Sequence, residues 1–298
     1  MSTARGGTTG WFLRLPCMSS FTLRAFASRT AFVASLALLV AACGDADASE
    51  GRTSSEPARS DPPVSISDPP APEAKPTAVR IVEQDALVDF TYAWPAEATA
   101  VDAIDERFRE EARSAEAELR RIAGEERTAR AERGDTFNGL YGSTEWESAG
   151  RSDRLLSLLA SVSSYTGGAH PNSGTATLLW DLKADKEIPI RLLFGKNAKL
   201  KDALKAPFCA QLEEMRAEKR GDMKIDGMFG ECPDLASEVS VVPTDRDGNG
   251  LFERFTLVAD PYVAGPYAEG EYRMEIPVDA VIFSALAPEY AGSFESAG

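Results

Sequence analysis

Between Val101 and Ile122, apolar residues recur every three or four positions: Val101, Ile104, Phe108, Ala112, Ala115, Leu119 and Ile122. That spacing predicts one buried face of a helix running to about Glu132. Glu106, Arg109, Glu110, Arg113, Glu118, Arg120 and Arg121 fill the other face, with opposite charges three or four apart. Such pairs make a solvated, self-supporting surface. The expectation is a helix packed on a sheet, with a partner-binding coiled coil as the alternative. Thr99 is the expected N-cap. A second helix is predicted over Lys199–Arg220, with Leu200, Leu204, Phe208, Leu212 and Met215 inward.

Strand patterns surround these helices. Val79–Val82 and Ala86–Trp94 read as a strand pair turning at Glu83–Asp85, and Pro95 ends the run. Tyr141–Ser148 and Arg154–Tyr165 follow, with 149–153 as their turn, and Leu155–Leu159 is apolar enough for burial on both faces. Gly174–Leu182 gives another strand, and Lys186–Phe194 an extended edge followed by a turn. Val239–Pro243, Leu251–Ala259 and Gly270–Val278 complete the set. The predicted class is α+β, an antiparallel sheet with two main helices packed on it.

The amino-terminal region lacks these periods. Residues 30–42, TAFVASLALLVAA, follow Arg24 and Arg29 and are too short to span a bilayer. This is the layout of an export signal. Val40-Ala41-Ala42-Cys43-Gly44 then reads as a bacterial lipobox that would lipidate Cys43; a plain secretory signal is the alternative. Met18 would give a more usual signal length than Met1. Gly44 and Asp45 offer no strong retention signal, so the expected location is the outer membrane, facing the periplasm. Residues 43–78 carry Pro57, Pro62, Pro63, Pro69, Pro70, Pro72 and Pro76 without apolar periodicity, which predicts an extended tether. The folded unit is expected as halves at 79–185 and 186–283, with 284–298 as a tail.

The net charge of −15 becomes −19 once the four arginines of residues 1–42 are removed, since that stretch holds no acid. Nucleic acid and anionic lipid surfaces are unfavourable partners for such a chain, so membrane contact is expected through the lipid anchor only. Of four cysteines, Cys17 leaves with the signal and Cys43 carries lipid. Cys209 and Cys232 remain, an even pair in an oxidising compartment. A disulfide between them would stabilise the fold by about 3 kcal/mol; two buried thiols are the alternative.

Three stretches could carry chemistry. Tyr165-Thr-Gly-Gly-Ala-His-Pro-Asn172 holds the only histidine, His170, with Gly167 and Gly168 before it. The glycines permit positive φ and the turn can present N–H groups beside an imidazole. A lone histidine without a Cys/His cluster is a poor metal centre, and there is no G-x-S-x-G serine elbow. The turn is therefore structural, ligand-contacting or, least favoured, catalytic. Asp245-Arg-Asp247-Gly-Asn249-Gly250 matches half of a calcium loop, but its twelfth position is Thr256. A polar hairpin turn is the favoured reading, so neither metal nor cofactor is expected. Pro261–Gly270 crowds Tyr262 and Tyr267 among prolines and glycines. Those rings either stack on sugars and anchor a protein partner, or fill the end of a sheet.

Taken in order, these pieces resemble a bacterial envelope family. It is the paired domain of unknown function found in the ectodomain of the lysozyme-sensing anti-sigma factor RsiV and in the non-catalytic region of PdaC-type peptidoglycan deacetylases. The resemblance is carried by YTGGAHPN at 165–172, IPIRLLF at 188–194, DPYVAGPYAEG at 260–270 and MEIPV at 274–278, together with the two helices, and covers about residues 79–283. It implies an α+β module outside the cytoplasm, associated with the wall or with wall-degrading enzymes and lacking catalytic residues of its own. A lipobox takes the place of the transmembrane helix, and no deacetylase domain is expected. The expected function is binding, with a muramidase (lysozyme) or peptidoglycan fragment as partner, and Tyr165, Gly167, Gly168, His170, Asn172, Tyr262 and Tyr267 as contacts. The alternatives are a wall-glycan hydrolase or deacetylase-like enzyme using His170, and a purely structural envelope protein.

Overall fold

The computed structural model describes residues 75–296, apart from 196, 222 and 224–226. The signal segment and Cys43 lie outside the described residues, as does the tether up to residue 74. Residues 75–78 are exposed and carry no regular structure.

The α+β class holds. Strands β1 (Val79–Gln84), β2 (Val88–Trp94), β3 (Leu140–Arg151), β4 (Leu155–Tyr165), β5 (Asn172–Asp181) and β6 (Lys186–Glu187) form one sheet in sequence order. Strands β7 (Ser240–Thr244), β8 (Arg254–Ala259) and β9 (Tyr272–Pro277) form a second. The two main helices are α2 (Asp102–Arg133) and α3 (Asn197–Arg220); α1 (Ala96–Thr99), α4 (Ala280–Ala285) and α5 (Pro288–Ala291) are short.

Two features depart from a single antiparallel sheet. The strands divide into two sheets, and β2 pairs with β3 in parallel, Val88 opposite Leu140 and Ala93 opposite Glu145. A parallel pair needs a long crossover, and α2 supplies it. Thr99 caps nothing on this helix. It closes α1, and the N-cap of α2 is Val101. At the other end Gly134, at φ 74°, closes α2 with Asp135 N–H donating to the Arg130 carbonyl.

On β2 the buried positions are Val88, Phe90, Tyr92 and Trp94, the alternation that puts one strand face on a core. They meet Ile104, Phe108 and Ala112 of α2, whereas Ala115 is exposed. Phe108 lies among the rings of Tyr92, Trp94 and Trp146 at 6.2, 6.0 and 4.7 Å. The polar ends of these aromatics are satisfied: the Tyr92 hydroxyl donates to Glu111, Trp146 Nε1 to the Tyr92 oxygen and Trp94 Nε1 to Asp105.

Leu155–Ala160 is buried at every position, and its two faces serve different cores. Leu156, Leu158 and Ala160 join the α2 cluster. Leu155, with Leu179 of β5, joins a second cluster built from α3 and the smaller sheet. Residues 284–296 belong to that second cluster through Leu286, Tyr290 and Phe294, and Phe252 bridges Phe294. Cys209 and Cys232 are joined by a disulfide with Cα atoms 5.7 Å apart, fastening α3 to the segment before β7.

Candidate functional site

Two loops separated by 92 residues meet at one surface, where the Tyr262 hydroxyl lies 3.3 Å from His170 Nε2. His170 stacks on Tyr267 with centroids 3.9 Å apart, and Tyr262 is 5.8 Å from Tyr267. Tyr262 is 53% exposed, so the group is an open aromatic surface and not a core filling. His170 Nδ1 sits 2.8 Å from the Pro171 carbonyl, which can only accept. In the neutral ring Nδ1 therefore carries the proton, and Nε2 is the acceptor for Tyr262.

The loop 260–270 is clamped by the last turns of α3. Arg216, only 2% exposed, donates through Nε and Nη2 to the Ala264 carbonyl at 3.1 and 2.8 Å, and to the Glu231 carbonyl at 2.9 Å. Arg220 makes a two-pronged pair with Glu269, both contacts 2.9 Å, and also reaches the Ala264 carbonyl. Tyr272 donates its hydroxyl to Glu269. Lys219 Nζ donates to the Glu269 and Glu271 carbonyls and lies 3.8 Å over the Tyr272 ring. The Arg220 hydrogen bonds hold the Glu269 carboxyl below its usual range, while burial and Glu269 push the Tyr272 phenol up to about 12. Gly265 is required by space: a Cβ there would sit 2.0 Å from Glu269 Oε2 and 3.1 Å from the Tyr272 ring. Tyr262 takes a positive φ of 74°, uncommon for a side-chain-bearing residue.

The loop 165–172 is tied down more lightly. Arg130 near the end of α2 donates to the Gly167 carbonyl at 3.2 Å, while pairing with Glu126 at 2.6 Å. Gly167 sits at φ 96°. Gly168 does not use positive φ, so one of the two glycines is demanded by the backbone and not both. The loops are latched to each other's neighbourhood by Asp260, which accepts from the Thr175 N–H at 3.0 Å and hydroxyl at 2.7 Å. Burial raises the Asp260 pKa, opposed by those two bonds.

Of the residues expected at the site, His170, Tyr262 and Tyr267 come together. Gly167 and Gly168 shape the turn. Asn172 is exposed at the first position of β5. Tyr165 lies elsewhere, stacked on Tyr141 at 6.2 Å beside a separate cleft. Asp245, Asp247 and Glu253 place carboxylates within 4.8 Å of one another. Both Asp245 oxygens, however, accept loop N–H groups, from Gly248 at 2.8 Å and Gly250 at 3.0 Å. The Asn249 oxygen accepts from the Leu251 N–H. These are the bonds of a self-organised polar turn. It is a long connection between β7 and β8 and not a two-residue hairpin.

Arg130, Arg216, Arg220, Glu269 and Asp260 are the supporting residues that sequence reasoning missed. Arg216 and Arg220 stand four apart, at the spacing that shares a helix face, and that was the available signal.

The fold and the site thus define an α+β module with an aromatic surface assembled from two arginine-held loops. The profile of the family described as deacetylase PdaC matches residues 81–173, the stretch from β1 through the histidine turn. The resemblance to the PdaC region is therefore shown over those residues. No curated protein matches the chain. Among solved structures, a DUF3298 family member from Bacteroides fragilis is similar at 17% identity and TM-score 0.44, over 72% of this chain and 95% of that one. A DUF3298 family protein from Pseudomonas aeruginosa PAO1 is similar at 18% identity and TM-score 0.35, over 71% of this chain and 94% of that one.

Proposed function

We propose that this chain is a non-catalytic binding module of the bacterial cell envelope, lipid-anchored at Cys43, whose partner is a muramidase. The observation that supports this reading is the half-buried His170–Tyr267 stack with the exposed Tyr262 beside it, formed by two loops whose carbonyls are gripped by helix arginines. Rigid aromatic side chains on a preorganised backbone lose little entropy on binding and are the usual anchors of protein interfaces. An acid–base role for His170 is less favoured. Its nitrogens face a backbone carbonyl and a phenol, and among the described residues no carboxylate hydrogen-bonds to it. The acidic chain suits a basic partner in the encounter step.

The test is calorimetric titration of the full-length protein with a lysozyme and with soluble muropeptides, at physiological salt and at about 0.5 M, where screening removes loose charge attraction. Lysozyme binding that survives added salt and weakens at least tenfold in Tyr262→Ala is the expected result. Heat from muropeptides alone would replace the partner. Turnover lost in a folded His170→Ala variant would replace the module with an enzyme, and no heat from either ligand would leave an envelope scaffold.

A further inference from the structure

Tyr165 leads to a second site. It stands opposite Tyr141 across the β3–β4 ladder, and Tyr141 stands opposite Asp89 across β2–β3, with Gln84 opposite Asp89 in turn. Residues in register leave a sheet on the same face, so four strands contribute one row: Gln84, Asp89, Tyr141 and Tyr165. The row lines a cleft of about 380 Å³, near the lower end of the range for small-molecule sites. Asp85, Arg130, Phe137 and Asn138 also line it, and Arg130 is the residue that holds Gly167.

The chemistry of this wall is selective. The two phenol rings stack at 24° and offer a flat apolar surface. Among the described residues the Tyr141 and Tyr165 hydroxyls and the Asn138 amide make no hydrogen bond. Asp89 uses only Oδ2, toward Gln84 Nε2 at 3.1 Å. Donors and acceptors are therefore mixed and unsatisfied within the protein. An anion would meet Asp89 and the neighbouring Asp85, which Arg120 and two backbone N–H groups keep ionised with a pKa of about 2. Arg130 is paired with Glu126 and Asp85 with Arg120, so the wall offers a ligand little free charge beyond Asp89. What fits is a neutral ring with one apolar face and a rim of hydroxyls or amides, which describes a sugar.

We infer that the Tyr141–Tyr165 cleft is a saccharide-binding subsite, distinct from the His170–Tyr262–Tyr267 surface and independent of whether that surface binds a muramidase. One pyranose lies against the phenol pair, and Asn138, Asp89 and Gln84 take its hydroxyl or acetamido groups. The turn 165–172 then has a use at each end, with Tyr165 in the cleft and His170 in the stack.

The experiment is calorimetric titration of the full-length protein with chitotriose, cellotriose and maltotriose, which separate acetamido from hydroxyl recognition and β from α linkage. At least one is expected to bind with Kd in the millimolar range or tighter, that is, by about 4 kcal/mol or more. Binding is expected to weaken at least tenfold in Asn138→Ala and in Tyr141→Phe, and to be unchanged in Tyr262→Ala. Asn138 is exposed, so its variant retains the fold even if the tyrosine change perturbs β3. Binding lost in Tyr262→Ala but kept in Asn138→Ala would place the sugar on the other surface and overturn the assignment. So would the absence of heat from all three sugars up to about 10 mM, beyond the weak end of useful affinity.

Discussion

The two loops of the aromatic surface have similar compositions and unlike support. Both join strands, and both carry glycine, proline and tyrosine. The 260–270 loop is gripped by Arg216, Lys219 and Arg220, with Glu269 locked between Arg220 and Tyr272. From the helices, the 165–172 loop takes a hydrogen bond from Arg130 to Gly167. The first arrangement fixes a platform through buried charge; the second leaves a cover whose position depends mainly on one half-buried side chain. Composition marks where a special loop lies, while the rigidity of that loop is decided by residues far away in the chain.

The largest test of this contrast is Arg216→Ala. It removes a buried guanidinium's hydrogen bonds to the Ala264 and Glu231 carbonyls, each worth about 1.5–3 kcal/mol because the donor is charged, read as a lower urea midpoint, together with loss of partner binding. An unchanged midpoint would mean that the platform is held by packing alone. Next comes the disulfide, because Cys232 closes the segment whose Phe229, Gly230 and Glu231 carbonyls receive Arg216 and Arg220. Cys209→Ser with Cys232→Ser is expected to lower stability by about 3 kcal/mol. Arg130→Ala is expected to cost about 1 kcal/mol, the size of an ordinary hydrogen bond, yet to weaken lysozyme binding as much as Arg216→Ala does. A large stability loss would show that both loops are equally anchored.

The smallest effect is on pH dependence. The pKa of Glu269 is lowered on folding, so its contribution is present above the ordinary value of 4.5 and is lost as pH falls through the folded value. Asp260 has the opposite sign: its raised pKa favours the folded state at low pH, and that advantage is lost as pH rises through its folded value. Glu269→Gln should therefore flatten the acid limb of a melting-temperature profile, and Asp260→Asn should steepen it. Both variants moving the limb the same way would contradict these assignments.

Much of the architecture was legible because periodicity is a local signal. Phe108 and its neighbours announce α2, and the unbroken Leu155–Leu159 run announces strands buried on both faces. The parallel β2–β3 pair was not legible, since pattern alone does not say which side of a strand a crossover returns to. Nor was the division into two sheets, or the packing of Tyr290 and Phe294 into the second core. Pro207 stands inside α3, where a proline costs about 3 kcal/mol in isolation; burial of Leu204, Phe208 and Leu212 around it carries the helix through. At the site, His170 and the two tyrosines could be nominated by residue type. Their supporting arginines could not, because Arg130 looks like any other charge on a solvated helix face, and the four-residue spacing of Arg216 and Arg220 marks a shared face without saying what it meets.

The 92-residue separation between His170 and Tyr262 also bears on biogenesis. A contact between residues so far apart in sequence forms only after the intervening strands and α3 are in place, since closing so large a loop early carries an entropic penalty that local structure must first reduce. The aromatic surface is therefore among the last features to appear as the chain folds. A partly folded or truncated chain would present the histidine turn without its platform, and a partner that requires both loops would engage only the finished molecule.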